Sequence, residues 1–248
     1  MIRTLRYLLA AVVAFAFADG AAAQKLSNPV RKTSVSYWAT DAAQRWDDDY
    51  PPLPDKQGAA SEQNKLFGQW RSDLEFNNPD DYSGDPFNVW VAASQDSLID
   101  ENSGIFWFYG YALTSLYIQG DAQADAASTF QFDFKLNNSG RVVLQGDIGV
   151  SDFFGWDVAR DRPGEASVVV KVVNLDTGTT VYEKVVEMNG AIPNGIDQFE
   201  FDDFAIELES GNYRLVINAT SSDSAVYDQV NFSLANAFVE LEGWVEED

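Results

Sequence analysis

Residues 129–136, Thr-Phe-Gln-Phe-Asp-Phe-Lys-Leu, place Phe130, Phe132, Phe134 and Leu136 at every second position, with Gln131, Asp133 and Lys135 between them. A strand turns successive side chains to opposite faces, so this period of two makes one face apolar and the other polar, whereas a helix would scatter the same residues around its circumference. The stretch is therefore a strand with one side in a core. Tyr213, Leu215, Ile217 and Ala219 alternate with Arg214, Val216 and Asn218 in the same way. Thr220 to Ser224, small or acidic and without an apolar anchor, reads as a loop before a strand carrying Val226, Asp228, Val230, Phe232 and Leu234.

Turn chemistry divides the rest of the chain. Asn138-Ser139-Gly140 predicts a hairpin joining residues 129–136 to 141–150, and Asp176-Thr177-Gly178-Thr179 a second one joining 168–175 to 180–188. Phe199 and Phe201 change phase against Phe204, Ile206 and Leu208, which predicts a bulge at Asp202-Asp203. Phe87 to Ala93 reads as a strand with Val89 and Val91 on one face and Asn88 and Trp90 on the other. Ile105 to Gln119 is almost continuously apolar, which predicts a long strand covered on both faces, or covered by the N-terminal arm on one, with Gly110 marking a bulge. Asp96–Gly104 and Asp121–Ala127 read as connections. With nine or ten such strands and no helix of ordinary length, the fold class is all-β: a single two-sheet jelly-roll or Greek-key β-sandwich.

The N-terminus is of another kind. Arg3 and Arg6 precede the apolar run Leu8 to Phe17, and Ala21-Ala22-Ala23 supplies the small residues a signal peptidase needs, so residues 1–23 are expected to be a signal peptide. The protein is then secreted, periplasmic or attached to a cell surface, with no membrane insertion of the mature chain. Residues 24–64 contain Pro29, Asp47-Asp48-Asp49 and Pro51-Pro52-Leu53-Pro54, and predict an irregular arm in which Ser34 to Trp38 forms a short edge strand. Residues 65–241 form the sandwich, and 242–248 an acidic tail.

Charge and missing residue types narrow the chemistry. Sixteen Lys and Arg against 39 Asp and Glu give a formal net charge of −23, which repels phosphates and excludes nucleic acid as a partner. There is no Cys, hence no disulfide and no thiol chemistry, and no His, hence no Ser-His-Asp triad and no imidazole metal site. Paired carboxylates suffice for glycoside hydrolysis, so a hydrolase or lyase stands as an alternative to a non-catalytic protein.

The segments LESGNYRLVINA and VYDQVNFSL resemble the closing strands of the galactose-binding-like jelly rolls used as carbohydrate-binding modules, in the pattern Tyr-x-Leu … Asp-x-Val-x-x-x-Leu. The resemblance covers the last 35 or so residues. It implies a structural calcium ion (Ca2+) held by Asp228, with Glu75 near the start of the sandwich as its partner. Carboxylates on expected loops, Asp80-Asp81 with Asp85, Asp157 with Asp161, and Asp202-Asp203, are further oxygen donors of the kind calcium takes.

Flat rings stack on sugars while nearby amides and carboxylates bind hydroxyls. Trp90, Trp107, Tyr109, Tyr111 and Trp156, with Asp157 beside the last, are the candidate ligand-binding residues. The expected function is a secreted carbohydrate-binding, lectin-like protein whose partner is a glycan or extracellular polysaccharide. The alternative is a structural or adhesive surface protein that self-assembles through its arm.

Overall fold

The computed structural model describes residues 25–40, 56–78, 87–119, 121–154, 164–188, 196–225 and 230–248. They form twelve strands: β1 (Leu26–Ala39), β2 (Lys56–Asn64), β3 (Gly68–Asn78), β4 (Phe87–Ile99), β5 (Ile105–Gln119), β6 (Ala122–Leu136), β7 (Gly140–Phe154), β8 (Glu165–Asn174), β9 (Thr179–Met188), β10 (Ile196–Leu208), β11 (Gly211–Ala225) and β12 (Val230–Glu247). Sheet I has the order β2-β1-β6-β11-β8-β9 and sheet II the order β10-β7-β12-β5-β4-β3, every pairing antiparallel. Taken alone, β5 to β12 give β6-β11-β8-β9 over β10-β7-β12-β5, the strand order of an eight-strand jelly roll. The first four strands widen it on one side, β1 and β2 beyond β6, β4 and β3 beyond β5.

The alternation of β6 holds: Phe130, Phe132, Phe134 and Leu136 are buried between the sheets. They meet Phe106 and Phe108 of β5, with ring centroids 4.9 Å apart for Phe106–Phe132 and 5.3 Å for the stacked Phe108–Phe130 pair. Ala235 and Ala237 of β12 and Ala219 of β11 share this core, small beside the large rings. The β8–β9 hairpin forms as expected, its turn closed by the Asn174 Oδ1, which accepts from the amides of Asp176 and Thr177. The β10 bulge also forms: the register against β7 shifts between Phe201 and Phe204, and Asp203 takes φ 47°.

Several expectations give way. Asn138-Ser139-Gly140 does not close a hairpin, because β6 lies in sheet I and β7 in sheet II. The turn arches the chain from one sheet to the other, from β6, whose inward phenylalanines pack on β5, to β7, which faces β8 and β9 across the core. Gly110 makes no bulge, since β5 stays in register with β4 and β12 through it. A side chain there would press on the Phe108 ring, 2.8 Å away, and on the Ser128 Oγ, 3.0 Å away. Thr220 to Ser224 is not a loop but part of β11, and 122–127 of the expected connection at 121–127 belongs to β6; of 96–104, residues 96–99 belong to β4 and 100–104 form the connection, with a turn at 101–103.

The arm and tail are also part of the sandwich where they are described. β1 is an inner strand paired on both sides, over Leu26–Ala39 with β6 and over Arg31–Ala39 with β2, and Trp38 points outward at 43% exposure. Residues 242–247 continue β12, the strand between β5 and β7.

A polar seam joins the sheets beyond the phenylalanines. Thr33 and Ser72 hydroxyls lie 2.5 Å apart, and Thr114 and Ser221 hydroxyls 2.7 Å apart. The Ser128 hydroxyl reaches the Gln95 Oε1 at 3.4 Å, and the Ser233 hydroxyl donates to the buried Asp223 carboxylate. Burying these groups is tolerated because they satisfy one another.

Candidate functional site

In β5 the even positions, Phe106, Phe108, Ala112, Thr114 and Leu116, are buried, so the odd positions face out of sheet II. That puts Trp107, Tyr109, Tyr111 and Leu113 in one outward line. Side chains on one strand face repeat every ~6.8 Å, so the three rings span about 14 Å. Tyr109 and Tyr111 are each 39% exposed and Trp107 is half-buried, its ring centroid 5.2 Å from that of Tyr109. The expectation that β5 is covered on both faces is thus corrected: its continuous apolar run comes from an inner row of core residues and an outer row of partly solvated rings.

Neighbouring strands set what flanks each ring. Tyr109 lies between Asp96 of β4 and Glu240 of β12, with Asp147 of β7 next in the same row. Trp107 lies between Leu98 and Glu242. Tyr111 lies between Ser94 and Phe238, and beyond Phe238 comes Gly149, where a β-carbon would collide with the Phe238 ring. The missing side chain lets that ring lie over β7. On the other flank, Asp73 of β3 pairs with Ser94.

This arrangement tunes two groups. Burial, with the carboxylates of Asp73 and Glu75, pushes the Tyr111 hydroxyl above the usual phenol value, so it stays protonated and can both donate and accept. Burial alone pushes the Glu242 carboxyl above its ordinary 4.5.

Of the residues singled out in the sequence, the fold brings Trp107 and Tyr109 together, with Tyr111 in line. Trp90 also faces out of sheet II and is half-buried, its indole nitrogen enclosed without a hydrogen-bond partner. It lies opposite Ser115, eight residues along β5 from Trp107, about 27 Å away. Trp90 is therefore no part of the same cluster. Trp156, Asp157 and Asp228 lie outside the described residues. So do Asp80, Asp81, Asp85 and Asp161. Glu75 is exposed on the outer face of β3, opposite Ala92. Among the described residues no three Asp or Glu side chains are gathered as a metal ion requires, Glu75 and Asp202-Asp203 included.

Phe238, Glu240 and Glu242 are the flanking residues that the sequence reading passed over. Their signal was the phase of β12, where Ala235, Ala237, Val239 and Leu241 are buried and the even positions face out.

The outer face of sheet I is different in kind. A shallow trough of about 490 Å³ crosses it, bordered by Ser34, Ser36, Ala127, Thr220 and Ser222, with Asp125 its one charged group. It exists because those side chains are small, and it holds no ring.

No family model and no curated protein matches the sequence. Among solved structures the chain is similar to TmCBM61, a carbohydrate-binding module in complex with β-1,4-galactotriose, at 9% identity over 54% of this chain and 69% of that one, TM-score 0.20. It is similar also to a structure of infectious bursal disease virus Gt strain, at 9% identity over 90% of this chain and 58% of that one, TM-score 0.29. A mutant VP2 protein of that virus in T=1 particles gives 12% identity over 93% of this chain and 61% of that one, TM-score 0.24. The chain thus spans about three fifths of the length of the viral chains it matches. Likeness at this level gives no information about function. Among the described residues no helix is long and apolar enough to cross a membrane.

Proposed function

We propose that this chain is an exported, non-catalytic glycan-binding β-sandwich whose sugar platform is the outward line Trp107, Tyr109 and Tyr111. One observation carries the reading: three aromatic side chains at successive outward positions of an inner strand, two of them 39% exposed, beside neighbouring carboxylates. Such rings present flat apolar surface to the C–H face of a pyranose, and the flanking hydroxyls and carboxylates satisfy its hydroxyl groups. The platform is rigid, because β5 is held on both sides by β4 and β12 and its inner row is locked in the core.

A surface-assembly role is the second reading. It is favoured by the edge strand β9, which shows Val181 and Val185 at 44% and 40% exposure along a strand end of sheet I.

The test is a glycan array probed with the full mature chain, neutral and charged polysaccharides alike and including β-1,4-galactan, followed by calorimetric titration of any positive. Saturable binding tighter than about 1 mM is the expected result. No binding to any glycan at that level overturns the proposal and moves the assembly reading ahead.

A further inference from the structure

Resting on that reading, we infer that the aromatic face of sheet II selects glycans that carry protonated amino groups, polymers of glucosamine, over neutral ones, and rejects uronate or sulfate polymers. The charge beside the ring line is mostly negative. Asp96 and Glu240 flank Tyr109 from the two adjacent strands, Glu242 flanks Trp107, and Asp147 stands one strand further out. Against these, β4, β5 and β12 contain no Lys or Arg anywhere along their length. Two cations stand at the margins of the face, each in an ion pair: Arg71 on the edge strand β3, opposite Asp96 at the end of the Tyr109 row, pairs with Asp73 at 2.9 Å, and Arg141 pairs with Glu246 at the far end of β12.

Two physical effects act in the same direction on an incoming ammonium group. The face of an aromatic ring carries negative quadrupole density, which attracts a cation, and the carboxylates attract it directly. Glu242 strengthens the case, since its half-buried carboxylate is disfavoured where it stands and a cation beside it relieves that cost. A uronate meets the same field with the opposite sign. An exposed ion pair changes affinity by a few-fold at most, so two or three together give a preference of about tenfold.

The experiment compares a glucosamine hexamer, its fully N-acetylated counterpart and a hexamer of guluronate in titrations with the full mature chain, in mildly acidic buffer where the amine is protonated. The glucosamine hexamer is expected to bind about tenfold tighter than the acetylated one, the guluronate hexamer not to bind, and the preference to fade between ~50 mM and ~500 mM salt. Glu240→Gln with Glu242→Gln should bring the ratio of the two affinities close to one. Tyr109→Ala with Tyr111→Ala should abolish glucosamine binding, which separates the ring face from diffuse attraction of a polycation to an acidic protein.

Equal affinity for the amino and acetylated hexamers overturns the charge selection and leaves the glycan platform standing. Glucosamine binding that survives loss of both tyrosines also overturns it. Binding of neither hexamer overturns the selection, and the array result then decides the platform reading separately.

Discussion

Arg31 is fully buried, and its partners are neutral: the Gly68 carbonyl at 2.6 Å, the Leu66 carbonyl and the Asn64 Oδ1 at 3.3 Å. Burial lowers its pKa to about 10, so it is still charged at neutral pH. The Trp70 ring centroid, 5.8 Å from the guanidinium carbon, adds a further favourable surface. Residues 65–67 carry the chain from β2 in sheet I to β3 in sheet II, so this one side chain staples the crossing of the two sheets. Arg31→Ala would remove the donor shared by the part-buried Gly68 and Leu66 carbonyls and open a cavity where the buried side chain stood, and is expected to cost about 3 kcal/mol in urea unfolding. Glu242 makes the opposite prediction. A raised folded-state value gives stability that is fully present below the unfolded value and lost as pH rises through the folded one, so at neutral pH its carboxylate is a net cost. Glu242→Gln should therefore melt higher than the parent at about pH 7, with the difference shrinking as pH falls through the raised folded value and gone once it reaches the ordinary 4.5, which paired melting curves would show.

At the scale of elements, β7 shows how one glycine sets a path. Gly146 has φ 121° and sits opposite Phe201, where the register of β10 slips, and a β-carbon there would collide with the Glu240 carbonyl. Gly146→Ala combines a disfavoured backbone with that collision and is expected to cost more than about 2 kcal/mol in urea unfolding, whereas Gly178→Ala, in an open turn at φ 72°, should cost about 1 kcal/mol. What the sequence disclosed at this scale depended on which side of a strand was large. β6 was legible because Phe130, Phe132 and Phe134 point inward with polar residues outward, whereas β8, with valines on both faces, was legible from the turn that follows it. β11 faded into an apparent loop at 220–224 because its inward residues there are Ser221 and Asp223, members of the polar seam. β5 hid its alternation because rings occupy both sides. The arch at 138–140 read as a hairpin because the same turn residues reverse a chain whether it returns in its own sheet or in the facing one.

For the whole molecule, the prediction of an all-β two-sheet sandwich stands, and the jelly-roll order emerges only from pairings that no local pattern contains. The predicted irregular arm and acidic tail were wrong over the described residues, since Leu26–Ala39 and Val230–Glu247 are inner strands. β1 is therefore built into sheet I, and its edges are not available to pair with a second copy. The rings of the candidate face were visible as residues, but not their grouping: Trp107 and Tyr109 share a line that Trp90 does not. Two outer faces result, one on sheet I with a trough of small residues and the exposed Trp38, Val181 and Val185, and an aromatic, acidic one on sheet II. The central claim, that the second of these holds a glycan, is tested most directly by measuring affinity and melting together on Tyr109→Ala and Tyr111→Ala. Because both rings are 39% exposed, stability should change by no more than about 1 kcal/mol, while affinity for the best glycan of the array falls about tenfold for each. Unchanged affinity in both variants would contradict the account.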